Sequence, residues 1–170
     1  MKSDRTEPPP APAGRVDVVF QRACRLRGLP TNATMKRWLE HAIGRFRPRA
    51  SLTVRIVDAV EGAALNERWR GKRGPTNVLS FPASGLEEVA PELLGDIVLC
   101  APVLEAEAAA QRKGLDAHCA HLLVHGALHL LGYDHEKSRE AAVMERLETE
   151  LLAELAFPDP YAEDVTADEI

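Results

Sequence analysis

Residues 125–135 read His-Gly-Ala-Leu-His-Leu-Leu-Gly-Tyr-Asp-His, and few local structures can present such a run. His125 and His129 are four apart, so on an α-helix their side chains stack on one face. Gly132 follows three residues later, where a helix can end with a glycine in the left-handed conformation. The chain then turns back, and His135 arrives as a third imidazole from outside the helix. Three neutral nitrogen ligands with a fourth position left open are the arrangement of a catalytic rather than a structural zinc ion.

The ligand set has to be chosen, because His118 and His121 lie on roughly the same stripe. A lone histidine on an apolar helix is more often a hydrogen-bonded core residue than a ligand; three at this spacing, with a glycine at the turn, are harder to read that way. Each helical turn rises about 5.4 Å. Two imidazoles sharing one ion at about 2 Å each must therefore lie about one turn apart, so His121 and His129 cannot share it. The pair nearest Gly132 is the one His135 can join. The candidate ligands are His125, His129 and His135, with His121 a supporting or packing residue and His118 structural or exposed. One zinc ion per chain is expected; nickel and copper also bind such sites.

The spacing H-x-x-x-H-x-x-G-x-x-H is that of the metzincin motif with one change. Gly126 stands where the glutamate of H-E-x-x-H serves as general base and proton shuttle. A glycine can do neither, which argues for a metal hydrolase that is not a peptidase. Asp134 and Glu136 flank the third histidine as candidate bases or supports, with Asp134 better suited to shaping the turn.

The 170 residues fit one domain with room for a core. Cys24, Cys100 and Cys119 form no C-x-x-C pair, and no apolar leader or run of eighteen apolar residues occurs. A cytoplasmic protein with reduced thiols and no membrane span is expected. The net charge of −5 conceals an asymmetry. Residues 15–73 carry 14 Lys/Arg against 5 Asp/Glu, whereas residues 74–170 carry 5 against 19. A basic half can offer an anionic ligand a surface, although charge alone favours two solvated faces.

Periodicity predicts the order strand-helix-strand-helix-strand-strand-helix-helix-helix. Val16–Phe20 and Ser51–Asp58 read as strands, the second with Leu52, Val54 and Ile56 on one face. Thr31 and Asn32 are candidate caps for a helix to about Phe46, with Met35, Trp38, Leu39, Ala42 and Ile43 inward. Val60–Trp69 reads as a helix, Thr76–Phe81 as a strand closed by Pro82, and Asp96–Cys100 as a central strand. Pro102 can start a helix through Ala110, and Asp116 can cap the histidine helix. Ser138–Leu155 reads as an amphipathic helix with Val143, Leu147, Leu151 and Leu152 inward. The fold class is α/β (α+β): a single domain with a small mixed four-stranded sheet packed by helices, around a zincin-like metal-binding central helix. Its expected limits are 15–157, between a disordered Pro-rich tail at 1–14 and an acidic tail at 158–170.

The run His-Gly-x-Leu-His-Leu-x-Gly-Tyr-Asp-His resembles the signature of the YbeY family of bacterial rRNA maturation factors. Two further stretches share the resemblance: Trp69-Arg70-Gly71-Lys72 leading into Pro75-Thr76-Asn77-Val78-Leu79-Ser80-Phe81-Pro82, and Leu94-Gly95-Asp96-Ile97-Val98. The likeness covers roughly Val16 to Phe157. Trp69 departs from the usual tyrosine before the loop arginine but keeps an aromatic ring. The resemblance implies a single-strand-specific, zinc-dependent endoribonuclease of the cytoplasm, acting in 16S rRNA 3′-end maturation and ribosome quality control. It implies His125, His129 and His135 as metal ligands and Arg70 as the loop arginine important for activity. Association with the small ribosomal subunit, a small-subunit ribosomal protein and an assembly GTPase is also implied.

The chemistry of the residues agrees in outline. Zinc lowers the pKa of bound water towards about 7, which lets a zinc-activated water attack a phosphodiester. An arginine near the metal can hold the charge that builds on the phosphoryl oxygens. Arg70 is the candidate, with Lys72 and Arg73 as backbone-phosphate contacts. Two other classes stay open at this level: a metallohydrolase of peptides or small molecules with its base elsewhere, and a non-catalytic ribosome-assembly module with a zinc site.

Overall fold

The computed structural model describes residues 15–162; the expectations for 1–14 and for the end of the acidic tail, 163–170, lie outside the described residues. The elements follow in the predicted order: β1 (Arg15–Arg22), α1 (Asn32–Gly44), β2 (Arg49–Val57), α2 (Ala59–Arg70), β3 (Val78–Pro82), β4 (Leu93–Cys100), α3 (Ala101–Ala110), α4 (Leu115–Leu130) and α5 (Ser138–Glu154). One four-stranded sheet has the order β1-β2-β4-β3, with β1, β2 and β4 parallel and β3 antiparallel at an edge. The expected mixed α/β architecture is therefore the observed one.

Local chemistry sets the helix starts. Thr31 Oγ1 accepts the Thr34 amide at 3.2 Å, and the Asp58 carboxylate accepts the Glu61 amide at 2.9 Å, each satisfying a donor the first helical turn leaves unpaired. The α1 stripe Met35, Trp38, Leu39, Ala42 and Ile43 is buried as predicted and shares one core with Leu52, Val54 and Ile56 of β2. On the other side of the sheet, Leu65 of α2 and Val103 of α3 cover Leu79, Val98 and Cys100. β4 is thus covered on both faces, which is why its sequence is a nearly continuous apolar run. Gly95 has φ +137°, and a Cβ there would lie 2.1 Å from the Phe81 carbonyl oxygen. Only glycine lets β3 close on β4 at that point, next to the register shift between β2 and β4.

Three expectations need correction. β3 begins at Val78, not Thr76, because the Asn77 side chain accepts the Val78 amide at 2.7 Å and starts the strand there. α4 begins at Leu115 with Gly114 in the capping position, so Asp116 lies inside the first turn and caps nothing through its side chain. Its charge still suits the helix N-terminus. In α5, Val143 is 47% exposed; the inward stripe is Met144, Glu148, Leu151 and Leu152. Hydrophobic periodicity misplaced that stripe because a carboxylate occupies one of its buried positions.

α4 is apolar nearly all round, and a helix of that kind has to be enclosed. It packs against β3, β4, α1, α3 and α5, with Cys119, Leu123, Val124, Ala127 and Leu128 fully buried. No helix among the described residues is long and apolar enough to cross a membrane.

His118, on this helix, is 3% exposed, and its Nε2 faces the Glu107 carboxylate at 3.3 Å. Burial pushes its pKa below the ordinary histidine value of 6.5, more than Glu107 raises it. The unfolded chain therefore binds a proton here before the folded one does. Stability from this residue is present above pH 6.5 and is lost as pH falls from there towards the lowered folded value. Urea unfolding of wild type and His118→Gln should diverge in that window, the wild type losing up to about 1.4 kcal/mol more per pH unit. Parallel curves between pH 7 and pH 5 would show that His118 is protonated equally in both states.

Candidate metal centre

The histidine helix ends as its glycine predicts. Gly132 has φ +102°, its amide bonds the His129 carbonyl at 3.0 Å, and the Tyr133 amide bonds the Leu128 carbonyl at 3.0 Å. This paired closure is a Schellman motif, and it folds the chain back over the last helical turn. Tyr133 packs its ring edge-on against Phe46, 5.8 Å between centroids. The Asp134 carboxylate then accepts the His135 amide at 2.7 Å, shaping the turn that returns the third histidine.

His125, His129 and His135 come together: one ring nitrogen from each lies within 4.8 Å of the others. The hydrogen bonds assign which nitrogens face inward. His129 Nδ1 lies 3.0 Å from the Tyr133 carbonyl, which can only accept, so Nδ1 carries the proton and Nε2 keeps its lone pair. His125 Nδ1 faces the Glu148 carboxylate, with the same consequence for its Nε2. The two Nε2 atoms are then 3.1 Å apart, lone pair towards lone pair. That contact is repulsive unless a cation lies between them. Two nitrogens of a tetrahedral zinc site sit roughly 3.3 Å apart, given Zn–N bonds of about 2.0–2.1 Å. The donor set fits a divalent ion of the zinc type. Burial, with His125 and His135 close by, also holds the His129 ring below its ordinary pKa, favouring the neutral form a ligand needs.

Sequence reasoning missed two members of this cluster. Glu148 is fully buried on α5, and its carboxylate takes hydrogen bonds from His125, from His121 Nε2 at 3.2 Å and from the Tyr161 hydroxyl. Burial alone would raise its pKa, but these three donors outweigh that and bring it down to about 2. Tyr161 lies in the stretch read as an acidic tail, and its ring packs edge-on against His121. Their signal was weak: an acidic residue among the many of α5, and a tyrosine beyond the last helix. His121 is turned to Glu148 and not to the three-histidine cluster, while His118 is buried against Glu107.

The three histidines open onto a cleft of about 770 Å³. Arg70, at the end of α2, lines the same cleft and donates from Nη2 to the Ser80 carbonyl of β3 at 3.0 Å. One of its five donors is used in this way. α2 stops at Gly71, with φ +66°, so the basic loop after it begins at the cleft rim. Lys72 and Glu136 line the cleft, whereas Arg73 is not among its lining residues. Gly126 faces the sheet, where an added Cβ would meet Ile97 Cδ1 and Ser80 Oγ at 3.2 Å each.

The chain is similar to known proteins in sequence and in fold. A family model described as Endoribonuclease YbeY matches residues 24–156. The chain is 56% identical over 136 residues to a protein named endoribonuclease YbeY from Stutzerimonas stutzeri, covering 79% of this chain and 85% of that one. It is 54% identical over 153 residues to proteins of that name from Xanthomonas campestris and Stenotrophomonas maltophilia, covering 87% of this chain and 94% of each relative. A solution structure of a Thermotoga maritima protein has the same fold, with a TM-score of 0.53 at 24% identity, covering 85% of this chain and all of that one. With a family model matched over most of its length and relatives more than half identical to it, this chain belongs to the YbeY endoribonuclease family.

Proposed function

We propose that the chain is a metal-dependent endoribonuclease of rRNA maturation, with His125, His129 and His135 holding one zinc ion and Arg70 binding the scissile phosphodiester. The convergence of three imidazole nitrogens on a cleft that Arg70 and Lys72 also line carries this reading. Zinc held there supplies Lewis-acid activation of water and of the phosphoryl group. The Arg70 guanidinium, braced on Ser80, pairs with non-bridging phosphate oxygens and stabilises the charge that grows on them. Lys72 adds a point charge for a neighbouring phosphate. Gly126 leaves no carboxylate at the position a zinc peptidase uses as its base.

The substrate in this reading is single-stranded RNA at the 3′ end of the 16S rRNA precursor, with ribosome quality control as the wider role. Its setting is the cytoplasm and the small ribosomal subunit, with a small-subunit ribosomal protein and an assembly GTPase as partners. The family likeness supports these, together with the free cysteines and the basic half of the chain. The test is cleavage of labelled single-stranded RNA by protein of measured zinc content, with casein as the competing substrate. RNA should be cut and casein left intact, and chelation should stop cleavage until zinc is restored. Zinc-loaded protein that binds RNA without cutting it would leave a binding module instead.

Arg70→Ala should lower the cleavage rate roughly 10²–10³-fold, the scale for removing one preorganised charge-stabilising donor, while zinc content stays at wild type. Arg70→Lys should recover only part of the loss, because an ammonium cannot reproduce the paired donors. A rate within twofold of wild type in Arg70→Ala would remove the arginine from the mechanism.

A further inference from the structure

We propose that the C-terminal segment is built into the metal centre, with Tyr161 and Glu148 acting as positioning residues that hold the His125 ring in its metal-binding tautomer and orientation. The proposal rests on the reading that the three histidines bind zinc.

Packing alone gives no reason for Glu148. It sits on a stripe with Met144, Leu151 and Leu152, all buried in one cluster, where a leucine would continue the pattern. A fully buried carboxylate is costly unless every lone pair is used. Here the two oxygens are divided: Oε1 takes the His125 Nδ1 proton, and Oε2 takes the Tyr161 hydroxyl and His121 Nε2. The first bond leaves His125 Nε2 deprotonated and aimed at His129 Nε2, 3.1 Å away. The second pair keeps the carboxylate from rotating off that task. His121 Nε2 is turned to this carboxylate, and His121 lies outside the cluster of three ring nitrogens.

Tyr161 reaches Glu148 because the chain beyond α5 is pinned on the way. Ala156, with φ +66°, reverses the direction, and Phe157 packs edge-on against Trp38 of α1 at 5.4 Å. Lys113 Nζ donates to the Pro160 carbonyl at 2.9 Å, and the Asp159 carboxylate accepts the Tyr161 amide at 2.8 Å. A tyrosine held by anchors on α1, on the α3–α4 connection and on its own turn is a fixed donor, already oriented before any metal arrives.

Zinc dissociation constants, from competition with a chromophoric chelator, test this on the full chain. Glu148→Gln should weaken zinc binding roughly 10–100-fold, and Tyr161→Phe by about tenfold, the range found when a ligating histidine loses its outer partner. Because Tyr161 acts through Glu148, the double variant should bind within twofold of Glu148→Gln alone. Nitrogen NMR of the metal-free protein should show His125 as the Nδ1–H tautomer in wild type and a mixture of tautomers in Glu148→Gln. Affinities within twofold of wild type in both variants, or effects that multiply in the double variant, would overturn the proposal. Should Glu148→Gln fail to fold, Tyr161→Phe, which removes one hydroxyl, decides alone by its affinity. His129→Ala serves as the separate control. If it binds zinc as wild type does, the three-histidine site itself is wrong; if it loses zinc while Tyr161→Phe and Glu148→Gln do not, only the positioning role falls.

Discussion

His129→Ala should abolish stoichiometric zinc binding and RNA cleavage together while leaving the fold intact. His129 is the middle of the three rings: its centroid lies 4.6 Å from His125 and 4.8 Å from His135, whereas those two are 5.4 Å apart. Its removal leaves one imidazole on the helix and one on an exposed turn, too few neutral donors for a closed set of three. Metal charge is worth several kcal/mol to a phosphoryl-transfer transition state, so the rate should fall on the order of 10³-fold or more. The fold has little reason to suffer. The ring is only half-buried at the end of α4, and alanine is the better helix former. Zinc per chain by mass spectrometry, cleavage rate and circular dichroism on the same preparation decide the matter. Wild-type cleavage from a variant without zinc would detach the chemistry from the metal and point to a contaminating or metal-free nuclease.

The parts of the molecule legible in the sequence are those whose physics is local. The Schellman closure at Gly132 follows from three residues after His129, and the α1 stripe and the alternation of β2 follow from period alone. The clustering of His125, His129 and His135 was legible for a similar reason, since helical rise rules out His121 together with His129 and the Gly132 turn returns His135 to the nearer pair. Glu148 and Tyr161 were not legible, because Glu148 meets His125 across 23 positions of chain and Tyr161 meets His121 across 40, and both belong to runs whose charge reads as solvated surface. Burial of a carboxylate is a tertiary fact, and only the packing of α5 on α4 reveals it. Val143 was misplaced by the same blindness. With Glu148 counted as polar and outward, the apolar stripe rotates by a residue. Arg70 stands between these cases: its basic loop was visible, but its brace on the edge strand depends on β3 lying beside α2.

Gly126→Glu should fail to install the peptidase base and should instead destabilise the protein by about 4 kcal/mol or more. The helix face at 126 is turned to β3 and β4, not to the cleft. A Cβ there already meets Ile97 Cδ1 and Ser80 Oγ at 3.2 Å and Ile97 Cγ2 at 3.3 Å. Two effects oppose each other at this position. Any side chain gains up to about 1 kcal/mol of helix propensity over glycine, but overpacking costs roughly 1–3 kcal/mol. A glutamate must also bring a carboxylate against the buried Ile97 side chain, and that adds a desolvation cost of several kcal/mol. The unfavourable terms win. For a domain of this size the loss corresponds to a fall in Tm on the order of 10 °C, read by calorimetry on metal-free protein. Gly126→Ala, with the clash but without the charge, should lose far less. The absent glutamate is then a consequence of how closely α4 lies on the sheet, not an isolated substitution in an otherwise peptidase-like site. A Gly126→Glu protein with wild-type Tm that hydrolyses casein would show that the face has both room and a line to the metal, and would reverse this reading of the glycine.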